Sequence, residues 1–112
     1  MGLQIFGKKK CSDTKKAERF FKERNIKFQL IDLDIKNISK GELTRVTRNI
    51  NPNDLIDKES KEFQASNYKY MKFDPMEVLL ESSKFTKTPI VALDKDSTLG
   101  YRPEVWNTWK LK

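Results

Sequence analysis

The segment covering residues 4–17 constrains the fold more than any other part of the chain. An apolar run at residues 3–6 is typical of a strand, and Gly7 closes it. Three lysines follow, then Cys11, which is the only cysteine, and then residues that favour a helix start. The sequence therefore predicts a strand, a short basic loop and a thiol at the first turn of a helix.

The predicted position of Cys11 favours ionisation of its thiol. The unpaired amides at a helix N-terminus carry partial positive charge and attract anions. Such helix ends and nearby lysines lower the pKa of a cysteine from about 8.5 to roughly 3.5–7.5. A buried, inert thiol is the alternative, but the polar neighbours Lys10, Ser12 and Asp13 argue against deep burial.

The composition indicates one globular domain over residues 1–112. A single cysteine cannot form an internal disulfide, so we expect a reducing, cytoplasmic environment. Histidine is absent, which argues against a zinc site. Neither a signal peptide nor an apolar run of about 20 residues is present, so no membrane span is expected.

The net charge of +7 raises the question of nucleic-acid binding. The lysines are spread along the chain among acidic residues, and no known DNA- or RNA-binding motif is present. We therefore expect a lysine-rich solvated surface rather than direct nucleic-acid binding, and a monomer.

The start of the chain predicts a β-α-β unit. Ser12 or Asp13 is expected to cap the first helix, and Asn25 suits the left-handed conformation at its end. Residues 28–33 are rich in apolar side chains, as a buried parallel strand would be.

The middle of the chain predicts a series of short helices. Ser39 and Glu42 match a capping box, and Asn51 precedes a proline that can begin another helix. Residues 58–73 are too apolar for a free linker, so we expect short helices packed on the rest. A further helix begins around Pro75. Its inner face is expected to comprise Met76, Leu79 and Leu80.

The end of the chain predicts a hairpin and a last helix. Residues 89–93 and 98–101 form the two strands around a turn at residues 94–97. Pro103 then opens a helix, whose inward side chains are expected to be Val105, Trp106 and Trp109. The predicted fold class is α/β, with the order β-α-β, a helical insertion, and β-β-α, which is the thioredoxin order with added helices.

Three segments resemble the arsenate reductase-like family, which includes glutathione/glutaredoxin-dependent arsenate reductases and Spx-type transcription regulators. They are Ile-Phe-Gly with Cys-Ser-Asp-Thr-Lys-Lys-Ala at residues 5–7 and 11–17, Thr-Pro-Ile-Val at 88–91, and Gly-Tyr-Arg-Pro-Glu at 100–104. The resemblance implies a thioredoxin-like mixed sheet with a helical insertion at about residues 38–85. It also implies that Cys11 is the redox thiol, and that a cis peptide bond joins Thr88 to Pro89 beside it.

The chain departs from the family pattern at the oxyanion site. Arsenate reductases of this type place three arginines around the thiol, and Arg102 matches one of them. Thr88 stands where a second arginine would precede the cis proline, and Asp57 best matches the third. Lys58 is a poor substitute because it lacks the fork of an arginine. The resemblance therefore implies weak arsenate reduction. Spx-type regulators carry a Cys-x-x-Cys switch, and Thr14 at the fourth position of that motif excludes it here.

The leading hypothesis is a monothiol oxidoreductase with Cys11 as the thiolate nucleophile. The groups expected to stabilise the thiolate are Lys8, Lys10, Thr14 and Lys15. A solvated loop that lends only diffuse positive charge is the favoured alternative for the lysines, and an ordinary place in the first helical turn is the alternative for Thr14. No bound cofactor is expected, and an external thiol (glutathione, a glutaredoxin-type reductant or a partner protein) would resolve the mixed disulfide.

Two alternatives remain open. The first is reduction of arsenate or another oxyanion with Arg102 as the anion contact, where a surface salt bridge is the structural alternative for that side chain. The second is a regulator or adaptor that binds RNA polymerase, in which Cys11 is a sensor or has lost its chemistry.

Overall fold

The computed structural model describes residues 2–94 and 96–109. Four strands are present in this part of the chain: β1 (Leu3–Gly7), β2 (Phe28–Asp32), β3 (Ile90–Leu93) and β4 (Asp96–Leu99). The α-helices are α1 (Ser12–Glu23), α2 (Lys40–Val46), α3 (Lys61–Gln64), α4 (Pro75–Glu81) and α5 (Pro103–Trp106). Short 3₁₀ helices cover Pro52–Leu55, Asn67–Tyr70 and Ser83–Phe85.

The four strands form one mixed sheet in the order β2-β1-β3-β4. Strands β1 and β2 are parallel, with Gly7 opposite Asp32 at their carboxyl ends. Strand β3 is antiparallel to β1 and β4, which makes β3 and β4 a hairpin. The predicted order β-α-β, helices, β-β-α is confirmed, and the helices between β2 and β3 run from Lys40 to Phe85.

The core has two layers because alternate residues of a strand point to opposite faces of the sheet. On one face Ile5 and Val91 pack with α1 and α5 around Trp106, which is 1% exposed. On the other face Phe6 and Ile90 pack against the helices between β2 and β3. The sheet thus fixes the end of β1, where Cys11 follows, between two packed layers.

Several local predictions are confirmed. The capping box is complete, because Ser39 accepts from the Glu42 amide and the Glu42 side chain accepts from the Ser39 amide. Asn25 has the left-handed conformation, with φ of 55°. Residues 58–73 contain two short helices, and the Thr88–Pro89 peptide bond is cis.

Three predictions about the elements are wrong. Neither Ser12 nor Asp13 caps α1, because the turn after β1 places Cys11 at the N-cap. Strand β2 is an edge strand rather than a buried one, and Leu30 is 46% exposed. Strand β4 begins at Asp96, two residues before the predicted start at Thr98, because its pairing with β3 continues to the Leu93–Asp96 pair.

The inward faces of α4 and α5 differ in detail from the prediction. Val78 and Leu79 are the buried residues of α4, while Met76 and Leu80 are only partly buried against the same core. In α5 Trp106 is the buried residue and Val105 is only partly buried, while Trp109 lies beyond the end of the helix and is partly buried against the same core. In the described part of the chain, no helix is long and apolar enough to cross a membrane.

Candidate active site around Cys11

Cys11 lies at the junction between the loop after β1 and helix α1. Its amide donates to the carbonyl oxygen of Lys8 at 3.1 Å, which closes the turn. As the N-cap residue of α1, Cys11 supplies no side-chain hydrogen bond to the helix. The first amides of α1 therefore lack the usual oxygen acceptor, and a thiolate can take that place. Cys11 is partly exposed, as an attacking thiol must be.

The surroundings of Cys11 lower the pKa of its thiol. Burial alone would raise this pKa, but hydrogen bonds from the side chains of Thr14 and Thr88 and from the amides of Thr14 and Asp13 outweigh it. In its neutral form the thiol donates to the carbonyl oxygen of Thr88 at 3.4 Å. Cys11 therefore has hydrogen-bond partners for both protonation states.

Thr14 is held close to the loop by its packing against Gly7. It is 3% exposed, and its Oγ1 has no partner with normal hydrogen-bond geometry among the described residues. A Cβ atom on Gly7 would lie 2.3 Å from Thr14 Cγ2, so the end of β1 accepts only glycine. The Thr14 hydroxyl is consequently available to donate to the sulfur once the thiol is ionised.

Lys8 is anchored to the segment that precedes β3. Its Nζ donates to the carbonyl oxygens of Thr86 at 2.8 Å and Lys84 at 3.3 Å. Burial lowers the pKa of Lys8, and the charges of Asp34 and Asp57 restore only part of this shift. The ammonium group therefore serves as a hydrogen-bond donor within the structure, in addition to the charge that it brings to the loop.

Cys11 opens into a cleft of about 800 Å³. Its walls carry both signs of charge: the lysines are Lys8, Lys9, Lys10, Lys84 and Lys87, and the acids are Asp13, Asp34, Asp57 and Glu62. Among the described residues, no group of three or more cysteine, aspartate or glutamate side chains has an arrangement that could hold a metal ion. The cleft therefore offers a thiol and mixed charges.

A scan against protein-family models matches residues 6–109 with the model described as the ArsC family. The chain belongs to the ArsC family. This family includes thiol-dependent oxidoreductases, which work with thiol reductants such as glutaredoxin. A search of curated proteins finds no match for the chain.

Solved structures share the fold of this ArsC family member over almost its whole length. An arsenate reductase from Vibrio cholerae has 19% identity and a TM-score of 0.80, with 94% of each chain covered. A protein from Staphylococcus aureus COL has 19% identity and a TM-score of 0.77, with 98% of this chain and 99% of that chain covered. An arsenate reductase (ArsC) related protein from Brucella melitensis has 18% identity and a TM-score of 0.67, covering 97% of this chain and 94% of its own. Together with the strand order, these likenesses confirm the thioredoxin-like fold.

The ArsC fold brings part of the predicted site together. Thr14 and Thr88 are hydrogen-bonding groups of Cys11, and Lys8 and Lys10 line the same cleft. Lys15 does not line it and instead faces a smaller cavity beside β2. The roles of these residues in catalysis stay predictions.

Arg102, the predicted anion contact, lies outside the residues that line the Cys11 cleft. Its Nε donates to the carbonyl oxygen of Leu99 at 3.2 Å, and its Nη1 lies 3.9 Å from a carboxylate oxygen of Glu104. It lines an adjoining cavity, which shares Lys87 and Leu99 with the cleft. This placement favours the surface salt bridge that the sequence left open for Arg102.

Sequence reasoning missed several polar residues of the cleft, namely Asp34, Glu62, Lys84 and Lys87. Asp34 was open to prediction, because it follows β2, whose carboxyl end meets that of the parallel strand β1. Its Oδ2 accepts from the amide of Lys9 at 3.0 Å and so fixes the basic loop. Glu62 and Lys84 come from the helical insertion, and Lys87 comes from the segment between it and β3. No local pattern indicates how these parts pack against the loop of Cys11.

Proposed function

We propose that this ArsC family member is a monothiol oxidoreductase that acts through Cys11. The observation that supports the proposal best is the placement of the thiol at the N-cap of α1, where hydroxyl and amide donors lower its pKa. A cysteine that only filled space would need neither these donors nor an open cleft.

The proposed reaction has two thiol–disulfide exchanges. The Cys11 thiolate attacks one sulfur of a substrate disulfide, and the other sulfur leaves as a thiolate while a mixed disulfide forms on Cys11. The chain has no second cysteine to attack this bond. An external thiolate therefore attacks the substrate sulfur of the mixed disulfide and releases Cys11 as a thiolate, with glutathione or a redox protein as the reductant.

The charges of the cleft argue against arsenate as an efficient substrate. Asp57 lines the cleft, Thr88 brings a hydroxyl rather than a guanidinium group, and Arg102 faces the adjoining cavity. Two missing contacts to an oxyanion, at about 1.5–3 kcal/mol each, correspond to several powers of ten in affinity. The alternative of a regulator that binds RNA polymerase stays a prediction, as do a monomeric state and a cytoplasmic location.

The test is to trap and clear the mixed disulfide. Reduced protein is mixed with a peptide–glutathione disulfide, and mass spectrometry follows the adduct on Cys11. We expect formation of a single adduct and its removal by added glutathione, with turnover, whereas Cys11→Ser does neither. A Cys11 thiol that titrates at its ordinary pKa and forms no adduct would contradict the proposal. Protection of Cys11 from alkylation by arsenate would instead restore the oxyanion alternative.

A further inference from the structure

Residues 84–88 form a bridge between the helical insertion and the Cys11 loop, and we refer to them as the 84–88 segment. On one side the amide of Lys87 donates to the carbonyl oxygen of Leu55 at 2.7 Å, and the amide of Asp57 donates to that of Phe85 at 2.8 Å. These bonds hold the segment to residues 55–57. Its other side faces the loop that carries Cys11.

Two contacts join the 84–88 segment to the Cys11 loop. Lys8 Nζ donates to the carbonyl oxygens of Lys84 and Thr86, and the Cys11 thiol donates to that of Thr88. The thiol contact is a poor tether, because ionisation removes its proton and leaves a carbonyl oxygen facing an anion. The Lys8 contact, by contrast, does not depend on the protonation state of Cys11.

The position of Lys8 costs free energy that exposure to solvent would avoid. Long lysine side chains normally keep the ammonium group in water, yet this one is half-buried in the wall of the cleft. A buried ammonium is tolerated when its protons meet acceptors, and two carbonyl oxygens meet them here. Such an arrangement fits a structural donor better than a diffuse source of positive charge.

We propose that Lys8 is a positioning residue that ties the 84–88 segment to the Cys11 loop and so keeps the Thr88 hydroxyl within reach of the Cys11 sulfur. The inference rests on the proposed function, in which the thiolate form of Cys11 reacts. In this proposal Lys8 acts on Cys11 indirectly, by holding Thr88 in place. If Lys8 instead stabilised the thiolate by its charge, it would act on the sulfur directly.

A double-mutant cycle separates the two actions. The rate of alkylation of Cys11 by iodoacetamide is measured against pH for the wild type, Lys8→Met, Thr88→Val and the double variant. We expect each single change to slow alkylation about threefold at a pH below the thiol pKa, because the thiolate loses one hydrogen bond. In the Thr88→Val background, we expect Lys8→Met to slow alkylation further by less than about 1.5-fold.

Three comparisons complete the design. Lys10→Met removes one positive charge from the same exposed loop, and we expect it to change the rate much less than Lys8→Met does. The Lys8→Met effect should persist in 1 M salt, which screens charge interactions beyond about 3 Å. Lys8→Arg, which keeps the charge and the donors, should restore most of the rate.

Additive effects of Lys8→Met and Thr88→Val, or equal effects of Lys8→Met and Lys10→Met, would overturn the proposal. Hydrogen exchange gives a second measurement that needs no thiol chemistry. We expect the Lys87 amide to exchange about tenfold faster in Lys8→Met, and an unchanged rate would also overturn the proposal. If Lys8→Met does not fold, Lys8→Gln takes its place. An ordinary Cys11 pKa in the wild type would refute the proposed function alone.

Discussion

Replacing Thr14 by valine should separate the acidity of Cys11 from its nucleophilicity. Valine has the shape of threonine and removes only the hydroxyl group, so the packing against Gly7 is kept. While the Cys11 thiol is neutral, the Thr14 Oγ1 is buried without a hydrogen-bond partner of normal geometry. When Cys11 is a thiolate, the same hydroxyl makes the largest of the contributions that lower the pKa of Cys11. The substitution therefore removes an interaction made only with the thiolate.

The expected magnitude follows from one charge-assisted hydrogen bond. Such a bond contributes about 1.5–3 kcal/mol, and we take the lower limit because Cys11 is partly exposed. About 1.4 kcal/mol corresponds to a tenfold loss of thiolate at a pH below the thiol pKa. A more basic thiolate is a better nucleophile, and with a Brønsted coefficient of about 0.4–0.5 the remaining thiolate reacts roughly threefold faster. The net result is alkylation about three- to fourfold slower at low pH and about threefold faster on the high-pH plateau.

The assay is the rate of iodoacetamide alkylation from pH 5 to pH 10 for the wild type and Thr14→Val. The two curves should cross, because the substitution changes acidity and plateau rate in opposite directions. Thr44→Val, on the exposed side of α2, is the matched control and should leave the curve unchanged. Superimposed curves for Thr14→Val and the wild type would refute the assigned role of Thr14, as would a uniform slowing at all pH values.

Three further predictions concern stability and charge. Because folding lowers the pKa of Cys11, the free energy of unfolding of the wild type relative to Cys11→Ser should rise as pH rises from the folded pKa towards the ordinary value of 9.0, and fall again as pH falls. Unfolding in urea at a series of pH values measures this difference. A difference that is the same at every pH would contradict the prediction. Asp57→Asn removes a negative charge from the cleft, so it should favour the anionic reagent iodoacetate and raise the ratio of its alkylation rate to that of neutral iodoacetamide about twofold at low salt. This increase should disappear in 1 M salt. Asp54→Asn, outside the cleft, should leave the ratio unchanged at either salt concentration. Ser39→Ala should cost about 1 kcal/mol by breaking the capping box and lower the melting temperature by about 4 °C, with the alkylation curve unchanged.

The local elements were predictable because neighbouring residues determine them. A capping box needs only Ser39 and Glu42 three positions apart in one turn, and both side chains make the expected bonds. Asn25 adopts the left-handed conformation after α1 for a similarly local reason. The strand, loop and helix around Cys11 also followed from the order of residue types.

Predictions failed where the answer depended on distant partners. The apolar residues of β2 indicated a buried strand, but its place at the sheet edge depends on which strands pair with β1. The N-cap of α1 moved to Cys11 because the turn after β1 closes on Lys8. Glu62 and Lys84 of the cleft lining were missed because only the packing of the helical insertion brings them to the cleft.

The sequence by itself determined the order of the elements and the position of a lone thiol between a strand and a helix, since both depend on short-range patterns. Tertiary structure decided what surrounds that thiol. Thr88 is 77 positions from Cys11, and the carbonyl oxygens that hold Lys8 are 76 and 78 positions from it. Backbone carbonyl groups are the same in every residue, so no sequence pattern marks the ones that face an ammonium group. Only the packing of the helical insertion against the sheet brings them there.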